Sequence, residues 1–103
     1  MRWAAIFTDR TDAGDIRAAH LEDHLAYLKS NKGTIMIAGP LRQEPDSAPL
    51  GGLWIIEGET RAEVEALIAE DPFQVHGLRA STTIYCWAAA PLFADVVIGT
   101  KDA

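Results

Sequence analysis

The strongest constraint on the fold of this chain is a set of three apolar runs, at residues 35–37, 53–56 and 84–87. A strand that packs one side on helices and leaves the other in water carries a polar residue at every second position. None of the three runs alternates in this way. We therefore expect a β-sheet with both faces covered.

Strand and helix signals follow one another in the order β-α-β-β-α-β. Strands are predicted at residues 3–8, 34–38, 53–56 and 81–87. The pair Gly39-Pro40 is expected to end the second strand, because proline cannot donate to a ladder of hydrogen bonds. The pair Gly51-Gly52 precedes the third strand and allows the backbone to approach a neighbour or a ligand closely.

The two helices carry start and stop signals of their own. The first is predicted to open near residue 14 and to end near residues 31–33, at a glycine suited to the left-handed conformation. The second has Thr60 as its N-cap and Glu63 in a capping box. It is predicted to end at Asp71, because the residue before a proline is disfavoured in helical geometry.

This order of elements is that of a ferredoxin-like α+β sandwich, with a four-stranded antiparallel sheet and two helices on one face. The helices leave the other sheet face open, and a two-fold partner is the favoured cover. The alternative cover is the tail at residues 92–98, folded back over the sheet. We expect one domain at residues 1–90 and a C-terminal extension at residues 91–103.

Composition narrows the function classes. The chain has 103 residues and a formal charge of −6, which argues against a nucleic-acid partner, since phosphates require a basic surface. No signal-peptide pattern and no apolar stretch of membrane-spanning length is present, so we expect a cytoplasmic protein with no membrane partner. The single cysteine, Cys86, excludes an intramolecular disulfide and is interpreted as a small buried apolar residue.

The first helix carries a polar stripe beside an apolar one. Leucines 21, 25 and 28 form the apolar stripe and are expected to face the core, while His20, His24 and Tyr27 form the polar one. His24 is central and is the candidate for proton transfer, because imidazole exchanges protons near neutral pH. His20 is interpreted as filling a half-buried helix edge. A metal bound by His20 and His24 with His76 or Asp71 is not favoured, because nothing else has metal-ligand spacing.

Asp71 is the second candidate, at the predicted end of the second helix. It either forms a helix-terminating turn or contacts His24, since both helices lie on one sheet face. A carboxylate is unfavourable at a helix C-terminus, which favours a second use for it. The chain contains no phosphate-binding glycine motif, and Ser81 lacks the context of a nucleophile elbow.

The chain resembles the YciI-like (YCII-related) proteins in the order and spacing of its short motifs. They are His24-Leu25-Ala26-Tyr27-Leu28, Ala38-Gly39-Pro40, Gly51-Gly52, Asp71-Pro72-Phe73 and Gly77-Leu78. The resemblance implies a dimeric α+β barrel and a histidine–aspartate dyad, which maps to His24 and Asp71. It also implies acid–base chemistry on small organic molecules, such as lactone isomerisation or halide elimination. Many members carry an arginine where this chain has Leu21, and Arg17 is not interpreted as its equivalent.

We therefore expect a small cofactor-independent enzyme, an isomerase or a lyase, that binds no metal. His24 is predicted to be the general acid or base, with Asp71 fixing its tautomer. The predicted substrate-binding residues are Tyr27, as a hydrogen-bond donor, and Gly39, Pro40 and Phe73, as pocket walls. The alternative function is a non-catalytic dimer that binds small molecules, in which His24 and Asp71 would be a structural pair.

Overall fold

The computed structural model describes residues 1–98, and its four strands form one antiparallel sheet in the order β2-β3-β1-β4. The strands are β1 (Arg2–Asp9), β2 (Ile35–Leu41), β3 (Gly51–Glu57) and β4 (Arg79–Cys86). The helices are α1 (Gly14–Ser30), α2 (Arg61–Ala69) and the short α3 (Pro72–Val75), and a 3-10 turn covers Pro91–Phe93. This is the ferredoxin-like α+β arrangement, and the prediction of the fold class is confirmed.

The core lies between the sheet and the helices. Ala5 pairs with Trp54 and Trp3 with Ile56, so the register places the aromatic side chains of β1 and β3 on one face. Phe7 meets Trp54 edge to face, with ring centroids 5.2 Å apart. This geometry suits the aromatic quadrupoles and fixes both rings beside α1.

Local sequence sets the start of α2 as predicted. The hydroxyl of Thr60 accepts a hydrogen bond from the backbone N–H of Glu63 at 3.2 Å. The carboxylate of Glu63 accepts in turn from the N–H of Glu59 at 2.9 Å. The capping box is therefore confirmed, with its return bond one residue earlier than in the usual pattern.

One predicted element end is wrong, and another has a second role. The strand β2 continues through Gly39-Pro40 to Leu41, which is tolerated because β2 is an edge strand and needs fewer backbone donors. Asp71-Pro72 ends α2 as expected but also opens α3, with Pro72 in the first turn. A proline is well suited to that position because the first N–H groups of a helix have no partner within it.

The predicted inward face of α1 is also wrong. Leu21 and Leu25 are 42 % and 52 % exposed, whereas His24 is only 8 % exposed. Leu28 packs against the core as predicted, and Tyr27 of the polar stripe packs there too. The inward face of α1 therefore includes a histidine, and a helix that buries a polar side chain must supply it with a partner.

The outer face of the sheet is apolar and open. Ile6, Ile37 and Tyr85 are 39 %, 54 % and 57 % exposed. Within residues 1–98 the tail does not cover them, since Leu92 and Val97 are themselves 81 % and 75 % exposed. Tail residues instead surround a small cavity beside Arg2 and Trp87 at the sheet end. The folded-back tail is thus not seen among the described residues, and residues 99–103 lie outside them.

Cys86 was predicted to be buried and is exposed. It is the last residue of β4, an edge strand of the sheet. No helix within residues 1–98 is long and apolar enough to cross a membrane.

Candidate active site

The side chains of His24 and Asp71 meet at the interface between α1 and the α2–α3 junction. Nδ1 of His24 lies 2.7 Å from Oδ1 of Asp71. His24 is 8 % exposed and Asp71 is fully buried. The two residues that the sequence singled out, 47 positions apart, are therefore hydrogen-bonded in the folded chain.

Asp71 is held by the start of α3 rather than strained by the end of α2. Its Oδ1 also accepts a hydrogen bond from the backbone N–H of Phe73 at 3.3 Å, as an N-cap. A carboxylate is favourable there, because the first N–H groups of a helix carry partial positive charge. The interpretation that the helix dipole opposes this aspartate is therefore wrong.

Arg79 completes the buried cluster and was missed by sequence reasoning. Its guanidinium lies 2.6 Å from Oδ2 of Asp71, and its side chain is 4 % exposed. The same group sits 3.7 Å from the ring centroid of Phe7 and donates to the side-chain oxygen of Gln74 at 3.3 Å. Burial lowers the pKa of Arg79, and the charge of Asp71 opposes that shift. A buried carboxylate is thus balanced by a buried cation.

The hydrogen bond to Asp71 fixes the tautomer of His24. A carboxylate can only accept, so Nδ1 carries the proton and the lone pair of the neutral ring lies on Nε2. Among residues 1–98 no group bonds to Nε2. The ring stacks on Phe73 with centroids 4.0 Å apart and an interplanar angle of 14°. Its orientation is therefore set on one side by a hydrogen bond and on one face by an aromatic ring.

His24 opens onto a cavity of about 220 Å³ between α1 and the ends of β2 and β3. Its apolar walls include the three leucines of the predicted stripe, Leu21, Leu25 and Leu28, together with Ala38, Pro40, Pro49, Trp54 and Phe73. Its charged lining consists of Asp9, Arg17, Arg42 and Arg79. This volume lies below the usual range for drug-sized ligands, roughly 300–1,000 Å³, and suits a single-ring molecule.

Arg17 also lines this cavity, from a position one helical turn before Leu21 on α1. Its Nη2 binds Oδ2 of Asp9 at 2.9 Å and its Nε binds the same oxygen at 3.0 Å. Its guanidinium also lies 5.0 Å from the ring centroid of Phe73. The cavity therefore has an arginine on α1, at position 17, beside Leu21.

The other predicted site residues divide into two groups. Gly39, Pro40 and Phe73 line the cavity. Tyr27 does not line it, and its hydroxyl instead donates to the carbonyl of Leu67 at 2.6 Å. Tyr27 thus links α1 to α2 and is not placed to contact a ligand in the cavity. Burial and the charges of Glu70 and Asp71 raise its pKa.

Two further sequence features have structural roles. Gly51 lies so close to β1 that any side chain there would collide with the carbonyl oxygen of Phe7, which confirms the predicted close approach.

His20 stacks on His76 with centroids 3.6 Å apart and an interplanar angle of 2°. Among residues 1–98 no three metal-binding side chains are grouped.

Fold and site together define a ferredoxin-like α+β domain with a buried histidine–carboxylate pair at a small cavity. The chain belongs to the YCII-related domain family, whose model matches residues 1–88. Among curated proteins, no sequence matches this chain.

Two solved structures resemble this chain along most of its length. One is 5-chloro-2-hydroxyhydroquinone dehydrochlorinase (TftG) from Burkholderia phenoliruptrix AC1100, in complex with 2,5-dihydroxybenzoquinone. It is 29 % identical, with a TM-score of 0.80, over 87 % of this chain and 96 % of that one. The other is protein Atu4242 from Agrobacterium tumefaciens, 17 % identical with a TM-score of 0.55 over 88 % and 95 % of the two chains. The second likeness supports the fold alone.

Proposed function

We propose that this chain is a cofactor-independent enzyme that moves protons on a small hydroxylated ring compound, with His24 as the general base and acid. The observation that carries this proposal is the 2.7 Å bond between Nδ1 of His24 and Asp71. It leaves the lone pair of the neutral ring on Nε2, and His24 lines the cavity. General acid–base catalysis needs a proton acceptor of this kind within reach of the substrate.

The buried pair of Asp71 and Arg79 can stabilise His24 when its imidazole gains a proton. When His24 takes a proton, Asp71 faces a cation and stabilises it, as the carboxylate does in a catalytic triad. The Arg79 guanidinium lies 2.6 Å from the second oxygen of that carboxylate and balances its charge. Asp71 and Arg79 are therefore proposed as positioning residues that act through His24.

The proposed reaction is elimination, on the analogy of the dehydrochlorinase. Nε2 takes a proton from one ring hydroxyl and returns it to the carbon that bears the leaving group, so that a carbonyl forms. It then takes the proton of a second hydroxyl while a halide leaves with the bonding pair. The ring is oxidised to a quinone as the carbon–halogen bond is lost, so the sum is release of hydrogen halide with no external oxidant. Isomerisation of an enol or lactone would use the same two proton transfers.

We further propose that two copies associate through the outer sheet face. Ile6, Ile37 and Tyr85 leave on that face an apolar surface that the described part of the tail does not cover. A contiguous apolar face of this kind is unusual on a monomer. A two-fold axis covers both copies with one interface.

The test is turnover of a chlorinated hydroxyhydroquinone. Turnover is measured by the chloride released and by the absorbance of the quinone formed. We expect His24→Ala to lower kcat by about two to four orders of magnitude. Asp71→Asn also removes the charge that pairs with Arg79, and we expect it to lower kcat substantially per folded molecule. His20→Ala is the matched control, since His20 lies one turn earlier on α1 and does not line the cavity. Equal rates in native protein and His24→Ala would exclude His24 as the base. Ligand binding without turnover in the native protein would favour the non-catalytic alternative.

A further inference from the structure

The charge of the cavity is opposite to that of the whole chain. The chain carries a formal charge of −6, yet three arginines and one aspartate line the cavity. Asp71 lies behind the wall as a second negative group. Even when it is included, one positive charge remains in excess beside a neutral His24. A concave, partly apolar site strengthens such a field and favours anionic ligands.

Two of the three arginines are already neutralised by partners. Arg17 forms its two-pronged pair with Asp9, and Arg79 lies 2.6 Å from Asp71. Arg42 differs, because no ion pair or hydrogen bond joins its side chain to any residue within 1–98. It follows Leu41, the last residue of β2. The excess charge of the cavity is therefore carried by Arg42, on an exposed side chain.

The rest of the cavity indicates how a ligand would lie against Arg42. The leucines of α1, Pro40 and Phe73 provide apolar walls that suit the faces and edges of a ring. His24 and Arg42 line the same cavity of about 220 Å³, so one single-ring molecule can contact both. The guanidinium is a planar donor that binds carboxylates and other anionic oxygens in two-pronged fashion.

We infer that Arg42 is a specificity-determining residue that binds an anionic oxygen in this cavity, so that the site favours small ring compounds, substrate or product, in their anionic form. This inference rests on the proposed function, since it names the substrate class of the same site. The favoured anion is an ionised ring hydroxyl, because the dehydrochlorinase was solved with 2,5-dihydroxybenzoquinone. The hydroxyl groups of that compound are vinylogous acids and are ionised at neutral pH.

The experiment measures binding apart from turnover. The native chain, Arg42→Gln and Arg42→Lys are titrated by calorimetry with 2,5-dihydroxybenzoquinone and with its neutral dimethyl ether. We expect the native chain to bind the anion, Arg42→Gln to weaken that binding about tenfold, and Arg42→Lys to weaken it less than Arg42→Gln, since it keeps the charge but loses the two-pronged geometry. The control is Arg61→Gln, since Arg61 lies outside this cavity, over the ring of Trp3.

Each outcome decides the inference. Equal affinity of Arg42→Gln and native protein for the anion would overturn it, as would an equal loss for the neutral ether or an absence of anion binding. Benzoate is the second probe, and binding of benzoate with the same Arg42 dependence supports an anion site that also accepts carboxylates. Arg42-dependent binding without His24-dependent turnover would sink the proposed function and leave this inference standing. Turnover that depends on His24 but is unaffected by Arg42→Gln, with anion binding also unaffected, would overturn this inference and leave the proposed function standing.

Discussion

The two faces of the sheet invert the usual distribution of polar and apolar groups. On the helix side, Asp71 is fully buried and the Arg79 side chain is 4 % exposed. On the other side, Ile37 and Tyr85 are more than half exposed. Burying charge costs free energy unless each group is paired, and exposing apolar surface is unfavourable unless something covers it. The helix side has its partners within the chain, and the outer side requires one from outside.

The largest effect is expected from breaking the charged cluster on the helix side. Asp71→Ala strands the buried guanidinium of Arg79 and should lower the free energy of unfolding by about 3–5 kcal/mol, as measured by urea denaturation. Glu57→Ala is the control, because it removes only an exposed ion pair with the N-terminus and should change stability little. If the loss comes from the stranded charge, the double variant Asp71→Leu, Arg79→Met should recover most of it. A loss that the double variant does not recover would instead indicate the N-cap and packing roles of Asp71.

An intermediate effect is expected on the outer face. Tyr85→Asp places a charge in the proposed interface twice, once from each copy, and should weaken dimerisation by about 2 kcal/mol or more. Sedimentation velocity over a concentration series measures this shift towards monomer. Leu50→Asp is the matched control, since Leu50 is 53 % exposed and lies in the loop before β3. If the native chain is monomeric at all concentrations tested, the proposal that this face joins two copies is wrong.

The smallest effect is expected at Tyr27, on the boundary between the two helices. Tyr27→Phe removes the hydrogen bond to Leu67 and should cost about 0.5–1.5 kcal/mol. The raised pKa of Tyr27 adds a dependence on pH. Below the ordinary tyrosine pKa of about 10, the stabilisation is complete, because the phenol is protonated in both folded and unfolded chains. As pH rises through the folded-state pKa, this stabilisation is lost.

Urea denaturation of native protein and Tyr27→Phe, at pH 9 and at pH values above 10, checks the direction of this pH dependence. The two proteins should converge in stability as pH rises above 10. A difference that grows with pH would contradict the raised pKa. Alkaline difference absorbance of the same pair isolates the titration of Tyr27 itself, since Tyr85 is common to both.

The sequence predicts the architecture well because the relevant signals are local. The capping box at Thr60 acts through backbone three residues away, and it is present. The errors arise where tertiary context decides. Leucine spacing on α1 predicted a core face, yet Leu21 and Leu25 became walls of a cavity. Cys86 had the surroundings of a buried residue, and its place at the end of an edge strand exposed it.

The site was predictable only in part, for a related reason. His24 and Asp71 stood out by residue type and family resemblance, but their distance depends on how α1 packs on the α2–α3 junction. Arg79 gave no local signal, because it lies just before the predicted strand at residues 81–87 and its partner is eight positions earlier. A buried cation is recognised from its partners, and those are known only after folding.

Pro40 has a consequence for how far association can proceed. A sheet edge that offers a full row of backbone donors and acceptors can recruit strand after strand, and such growth has no natural end. Pro40 removes one donor from β2, an edge strand, and so interrupts that row. A two-fold contact through the outer sheet face, by contrast, is closed, because each copy then has its face covered and offers no further site for another copy. The same residue that forms part of the cavity wall thus helps to keep the proposed assembly finite.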